Sequence, residues 1–354
     1  MARRRSSYEE IFDAVSSVLV EHEEFAVGLQ RLHQVFRRCE RGKEPVCIGI
    51  FGESRTGKTR LLEEFLKTYP SIRHPEGVEL PVLRVTTASR PTVIGMLESM
   101  LRCLGDPEYS KGKETQKRDR LVILLKAAKT RVIVVDEIQH FVDRRSSKVL
   151  HEVADALKLV SDEAGVGLIT AGVERAERVL IENAQLDGRF LTPIRLSRFN
   201  WSKEAHRKQF VGIAMAFHKS ISRYVELPSF DNADMAFRLY VGCGGLMGYV
   251  VMFLGKLVWD IGEKGKRTIT LNDMSNAYAE SVARQRDVGV QLKPFNKCFS
   301  VDPKDQSQLD AARRIGHEEA PDTRSTERSG KKPPKTTRSR RTNNRSVNNT
   351  INAS

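Results

Sequence analysis

Residues 52–59 read Gly52-Glu53-Ser54-Arg55-Thr56-Gly57-Lys58-Thr59, the G-x-x-x-x-G-K-[ST] spacing of a loop that cradles phosphates. The chemistry is anion binding. Successive backbone N–H groups and the positive end of a following helix converge on a phosphate. Gly52 and Gly57 permit the backbone angles and the close approach, Lys58 reaches the outer phosphates, and the Thr59 hydroxyl is the expected Mg²⁺ ligand. Glu53, Ser54, Arg55 and Thr56 complete the loop, and Arg60 opens the helix behind it. A second chemical pair, Asp136-Glu137, closes the apolar run Val132-Ile133-Val134-Val135. From the carboxyl end of a strand, Asp136 is expected to hold Mg²⁺ through water beside the phosphate loop. Glu137 would then orient and deprotonate an attacking water.

These groups need a scaffold, and the flanking sequence supplies one. Residues 46–51 are an apolar stretch of strand length that runs straight into the loop, and 60–67 follow with helical spacing. Helices are expected over 8–20 and 24–41, the second ended by Arg41-Gly42-Lys43-Glu44-Pro45, with 1–7 a frayed basic arm. A loop at 70–77 leads to a strand at 80–86 and a helix at 92–104 with Pro91 at its first turn. A polar stretch at 105–120, a short helix at 121–129 and a strand at 131–135 come next. A long helix at 145–164, a strand at 166–171, a helix at 174–183 and a fifth strand at 192–196 complete this part. Near-continuous apolar strands alternating with helices predict an α/β fold, a parallel five-stranded sheet covered on both faces. Phe199-Asn200-Trp201 marks a boundary, beyond which 203–218, 230–240, 245–262 and 272–286 read as a small all-helical lid. Residues 302–354 are dominated by Pro, Ser, Thr, Asn and charges, have hardly any aromatic or β-branched residues able to seed a core, and read as a disordered basic tail, removable without loss of ATP turnover. The expected division is 1–198, 199–290 and 291–354.

The chain has 354 residues, 40% of them hydrophobic, enough to bury a sizeable core. No apolar stretch approaches the ~20 residues of a membrane span and no signal-peptide centre is evident, so a cytoplasmic protein without membrane partners is expected. Cys39, Cys47, Cys103, Cys243 and Cys298 are scattered without a C-x-x-C pair, which argues against zinc and against a disulfide framework. A net charge of +14 points to a polyanionic partner, nucleic acid above all. Residues 328–354 supply +8 of this excess, as either a DNA tether or a solubilising extension. Two basic clusters lie elsewhere, 111–120 and Arg144-Arg145 with Lys148. Lys111, Lys113, Lys117 and Arg145 are the candidates for DNA-backbone contacts, or else solvated surface charges. Thr170, at the end of the fourth strand, either senses a γ-phosphate or is an ordinary strand-edge threonine.

A phosphate loop, a strand ending in Asp-Glu, a fifth strand preceded by Arg189-Phe190 and a helical lid together resemble an AAA+ ATPase. Residues 52–59, Val132-Ile133-Val134-Val135-Asp136-Glu137-Ile138-Gln139-His140-Phe141, Thr170-Ala171-Gly172-Val173-Glu174 and Gln185-Leu186-Asp187-Gly188-Arg189-Phe190 narrow this. They resemble the TniB/TnsC family of transposition regulators, ATPases of Tn7-like elements that include CRISPR-associated ones. The resemblance spans about residues 24–286, and the Asp136–Phe141 wording is its most specific part. It implies ATP and Mg²⁺ as cofactors, with Lys58, Thr59 and Asp136 holding phosphate and metal and Glu137 as the base. Arg189 is implied as an arginine finger for a neighbouring subunit. A fixed guanidinium there neutralises charge in phosphoryl transfer; otherwise Arg189 is a surface arginine beside a core phenylalanine. The resemblance further implies a homo-oligomeric ring or filament on duplex DNA, independent of base sequence. Such an assembly marks a target site, binds a TniQ-type target selector and recruits a DDE transposase, and hydrolysis dismantles it. This chain departs from the pattern at two places. Arg55 stands where related loops often carry a small residue, and Gly244-Gly245-Leu246-Met247-Gly248-Tyr249 has glycine where many AAA+ lids place a sensor arginine. A STAND-like nucleotide-gated scaffold and a replication-initiator-type helicase loader are the alternatives. The sequence displays neither the repeat-rich sensor of the first nor the winged-helix domain of the second. Lys58→Ala is expected to abolish ATP binding and DNA-stimulated assembly, read by nucleotide titration and by sedimentation with duplex DNA. Unchanged binding would overturn the phosphate-loop reading.

Overall fold

The computed structural model describes residues 2–18, 22–42, 44–88, 91–142, 147–177, 189–230, 233–283 and 292–316, with side chains from 9 onward and without those of 147–150. Helices α1 (Ala2–Ser17) and α2 (Glu23–Glu40) precede strand β1 (Cys47–Phe51), and α3 (Lys58–Lys67) follows the loop. A hairpin of β2 (Ile72–His74) and β3 (Gly77–Glu79) leads to β4 (Val82–Thr86), α4 (Val93–Cys103), α5 (Glu114–Ala127) and β5 (Val132–Asp136). Then come α6 (Gln139–Val142), α7 (Ser147–Ala164), β6 (Gly167–Gly172), a 3₁₀ turn (Glu174–Glu177) and β7 (Phe190–Arg195). The lid holds α8 (Glu204–Ile221), α9 (Ala233–Cys243), α10 (Met247–Glu263) and α11 (Leu271–Glu280), and α12 (Gln306–Arg314) is the last element among the described residues.

The expected five-stranded parallel sheet is present, in the order β4-β5-β6-β1-β7. β1, β5 and β6 are buried along their whole length, which is why their sequences are apolar without alternation. Val132 and Val134 turn to one face, where Leu32, Val35, Phe36, Leu61, Leu62 and Phe65 of α2 and α3 cover them. Ile133 and Val135 turn to the other, against Met100 and Leu101 of α4, Leu121 and Leu125 of α5 and Leu157 and Val160 of α7. Each such large side chain contributes about 1.5–3 kcal/mol. The register sets Phe51 opposite Gly172 and Arg195, so the segments after β1, β5 and β6 emerge at one edge of the sheet.

The third core belongs to the lid and is aromatic, with Trp201 packed on Phe237 and Tyr240 at centroid separations of 5.2 and 5.1 Å. Ile11 and Val15 of α1 sit in this core, and Ser220 Oγ donates to the Ala14 carbonyl at 3.0 Å. The division at residue 198 groups α1 with the sheet, but its apolar face packs on the lid instead.

Several local expectations are corrected. The chain is helical from Ala2, not a frayed arm to residue 7. Pro91 lies ahead of α4, whose cap is Thr92, its hydroxyl accepting the Gly95 N–H at 3.0 Å. The loop at 70–77 contains most of a hairpin with almost fully exposed strands, which leave no burial pattern to read. α5 begins at Glu114 rather than 121, so the "polar stretch" is partly its first turns. The helix expected at 174–183 is a 3₁₀ turn over Glu174–Glu177, and 178–183 lie outside the described residues.

The largest correction concerns the tail. Residues 302–316 are ordered: Leu309, Ala312 and Ile315, three residues apart, form one buried stripe in the lid core. The segment leading to α12 is also anchored. Phe295 stacks on Phe253 at 4.7 Å, and the nearly buried Arg238 donates to the Pro294 and Asn296 carbonyls at 2.8 and 2.9 Å. Among the described residues no single helix is long and apolar enough to cross a membrane. α9 and α10 qualify only as a pair bent by 106°, and both are lined by the lid core. Ending the chain at residue 301 is expected to lower the denaturant midpoint, because the seat filled by Leu309, Ala312 and Ile315 is left open to water. Ending it at 317 is expected to leave the denaturant midpoint unchanged.

Candidate active site

The loop after β1 is shaped by two glycines with different tasks. A Cβ on Gly52 would lie 2.1 Å from the Leu196 carbonyl oxygen, a backbone approach no other residue permits. Gly57 caps α3 in a left-handed conformation, φ +106°, with open space where a Cβ would point. Lys58, only 8% exposed, donates through Nζ to the carbonyls of Gly52 at 2.9 Å and Glu53 at 2.7 Å. Burial lowers its pKa, and the negative charges of Glu137, Asp136, Glu53 and Glu174 act in the opposite direction. The Glu53 carbonyl also accepts the Thr56 hydroxyl at 2.9 Å, while Ser54 and Thr59 are exposed. Arg60 lies 3.7 Å from Glu63 on the outside of α3.

The acidic pair stands beside this loop. Asp136 is nearly buried, and its two carboxylate oxygens accept the Glu137 N–H at 2.9 Å and Arg84 Nη2 at 2.8 Å. Glu137 adopts φ +59°, a left-handed conformation that costs a non-glycine residue about 1 kcal/mol or more. Its surroundings impose it: the Ile138 N–H donates to Ala171 O at 3.0 Å, and Gln139 Nε2 donates to the Glu137 carboxylate. Gln139 is itself buried and accepts the Val173 N–H at 3.4 Å. Thr170 is fully buried on β6, between Gly49 and Val135 in the register, and its hydroxyl has no hydrogen-bond partner among the described residues.

The donor set suits Mg²⁺ bound with a triphosphate. A hard cation of this kind takes one or two protein oxygens and completes its shell with water and phosphate; the Thr59 hydroxyl, and the Asp136 carboxylate through water, are of the type that would hold it. Among the described residues no group of three or more His, Cys, Asp and Glu is arranged to hold a metal without such help.

Arg189 occupies the opposite edge of the sheet. Its carbonyl accepts the N–H of Cys47, the first residue of β1, roughly 13 Å from Phe51 at strand spacing. Its guanidinium pairs with Asp162 of α7. The structure therefore does not bring Arg189 to its own phosphate loop.

The basic cluster at 111–120 is largely neutralised within the chain. Lys111 pairs with Glu108 at 2.7 Å, Arg120 with Asp106 at 2.7 Å and Arg118 with Glu163 at 3.7 Å. Lys117 is corrected outright. It is 2% exposed, bonded to Glu98 at 3.0 Å and to the Tyr109 carbonyl at 3.2 Å, so it is an interior residue and not a DNA contact. Lys113 is exposed ahead of α5, and Arg145 lies outside the described residues.

The two departures in the sequence meet in space. Arg55, φ +67°, lays its guanidinium 4.6 Å from the Tyr249 ring centroid, and its carbonyl accepts the Gly248 N–H at 2.9 Å. A Cβ on Gly248 would lie 2.7 Å from Arg55 Cβ and 3.1 Å from its Cα, so the close approach of lid and loop requires glycine there whichever side chain residue 55 carries. Sequence reasoning missed three side chains of the site: Arg84, Gln139 and Arg198. A charge inside the apolar strand Val82-Leu83-Arg84-Val85 was a usable signal for the first, and Gln139 lay inside the quoted motif. Nothing in its spacing singles out Arg198, which grips the carboxylate of Glu53.

By sequence, residues 11–201 match the family model described as bacterial TniB protein. No curated protein matches the chain. By fold, it is similar to CDC6P from Pyrobaculum aerophilum, at 16% identity and TM-score 0.56 over 76% of this chain and 70% of that one. It is also similar to two Aeropyrum pernix proteins. One is ORC2 in ADPNP–ADP complexes, at 14% identity and TM-score 0.52 over 72% and 67% of the two chains. The other is ORC1 in complex with DNA, at 15% identity and TM-score 0.51 over 77% and 68%. The shared feature is the AAA+ fold. Lys117→Ala is expected to lower stability by about 1–3 kcal/mol in urea denaturation, because Glu98 and the Tyr109 carbonyl lose their donor. Its affinity for duplex DNA is expected to be unchanged.

Proposed function

The chain belongs to the bacterial TniB family, and from that premise we propose that it is an ATPase that assembles on duplex DNA and regulates transposition. The observation that carries this reading is one sheet edge holding a phosphate loop, a buried lysine and an Asp-Glu pair whose glutamate is turned out of the strand. The loop amides and Lys58 bind the β- and γ-phosphates. Thr59 and Asp136 would hold Mg²⁺, which would supply charge neutralisation on the transferring phosphoryl group. Water attacks the γ-phosphorus, the bond to the β–γ bridging oxygen breaks, and the proton of the water passes to Glu137. Gln139 orients that carboxylate, and the Thr170 hydroxyl is a donor with capacity to spare.

Arg189 is too far along β1 to serve its own pocket, so its role falls on the γ-phosphate of an adjoining subunit. Hydrolysis is then tied to assembly. Duplex DNA is the polyanion that a +14 chain favours, with Lys113, Arg145 and, on exchanging Glu108 for phosphate, Lys111 as contacts to the backbone. The ORC1 structure with DNA lends support at the level of the fold. A TniQ-type target selector and a DDE transposase are the proposed protein partners, and the assembly marks the site at which they act.

Glu137→Gln is expected to bind ATP and remain assembled on DNA, with turnover lowered by about 10²-fold or more. Rapid disassembly of that variant under ATP counts against Glu137 as the base. Arg189→Ala is expected to lose about 10³-fold in DNA-stimulated turnover. Mixing it with Glu137→Gln subunits, which keep Arg189 and stay assembled, should restore activity where an intact pocket meets an intact arginine, and failure of complementation overturns the role in a neighbouring subunit.

A further inference from the structure

Arg198 follows β7 and belongs to no recognised motif, yet its side chain is only 11% exposed. Its Nε donates to both carboxylate oxygens of Glu53, at 2.9 and 3.0 Å, and Nη2 bonds the same carboxylate. Its Nη1 donates to the Arg313 carbonyl at 2.7 Å and lies 3.4 Å from the Gly244 carbonyl. Glu53 is in the phosphate loop, Gly244 directly follows α9 of the lid, and Arg313 is in the last turn of α12. One guanidinium therefore joins three elements, and its rigid fork matches a carboxylate and the negative carbonyl end of a helix at once.

Glu53 is bonded at both ends. Its carboxylate is held by Arg198, and its carbonyl accepts Lys58 Nζ and the Thr56 hydroxyl. The neighbouring packing has little slack: a Cβ on Gly244 would lie 2.7 Å from the Ala312 carbonyl and 2.9 Å from Ile315 Cβ. We infer that Arg198 is a positioning residue through which occupation of the phosphate loop is read by helix α12. The inference rests on the nucleotide reading above. Lys58 has three protons to donate, and two go to the Gly52 and Glu53 carbonyls. A triphosphate competes for that ammonium, so the Glu53 backbone loses a charge-assisted partner. Because Arg198 holds its carboxylate, any shift of Glu53 is passed to Arg313 and Gly244.

The test is hydrogen exchange over residues 306–316 of the full chain, with and without ATP and Mg²⁺, alongside a fluorescent-nucleotide titration. In the wild type, ATP is expected to change exchange in this segment by about threefold or more. Arg198→Lys keeps the charge but not the fork, and at an ATP concentration that the titration shows to be saturating it is expected to lose most of the response. Arg198→Ala is expected to lose all of it; if that variant fails to fold, Arg198→Lys decides. A wild type that binds ATP without any change at 306–316, or an Arg198→Lys response equal to wild type, overturns the inference. A wild type that binds no ATP in the titration overturns the nucleotide reading itself, so the two failures are told apart.

Discussion

A lysine ammonium held almost out of water is the constraint around which this molecule is arranged. Removing such an ion from solvent costs several kcal/mol unless partners compensate. Lys58 finds them in two loop carbonyls and in the field of four carboxylates, Glu53, Asp136, Glu137 and Glu174. Those carboxylates would repel one another if left alone. Arg84 takes one, Arg198 another, and Gln139 donates to a third. The site is thus a set of paired charges around the buried Lys58 and Asp136, and each member needs a rigid element behind it. That is what the fully buried strands β1, β5 and β6 provide.

Strain is also tolerated at the site. Among the described residues four non-glycine residues hold left-handed backbone conformations, and two of them, Arg55 and Glu137, are here. In each case the surroundings over-determine the geometry, the Tyr249 ring and Gly248 for Arg55, Gln139 and the Ala171 carbonyl for Glu137. The lid is therefore in direct register with the loop. It touches the loop through Arg55 and, by way of Arg198, through Glu53.

What the sequence revealed and what it concealed divide along physical lines. β1, the phosphate loop and the Asp136-Glu137 strand end were legible because a doubly covered strand must be apolar throughout and the motif is contiguous. The hairpin at β2 and β3 was not, since strands that bury nothing carry no pattern. α12 was masked by composition: three apolar residues at helical spacing suffice when Gly244 and Arg238, far back in the chain, have prepared the seat. Lys117 counted as a surface charge because its partner Glu98 lies on another helix. The Arg198–Glu53 pair spans 145 positions, and no local pattern announces a contact of that separation.

The distance between Arg189 and the phosphate loop has a consequence for any assembly in which the one serves the other. Complementary surfaces that lie on different sides of a subunit join head to tail, and such joining closes into a ring or continues as a helix. An open filament then has two unlike termini. At one, a nucleotide pocket lacks its donated guanidinium; at the other, a guanidinium has nothing to act on. Turnover would be slowest in the terminal subunit with the uncompleted pocket, so one tip of the filament would keep its nucleotide longest and give the structure a direction along the duplex.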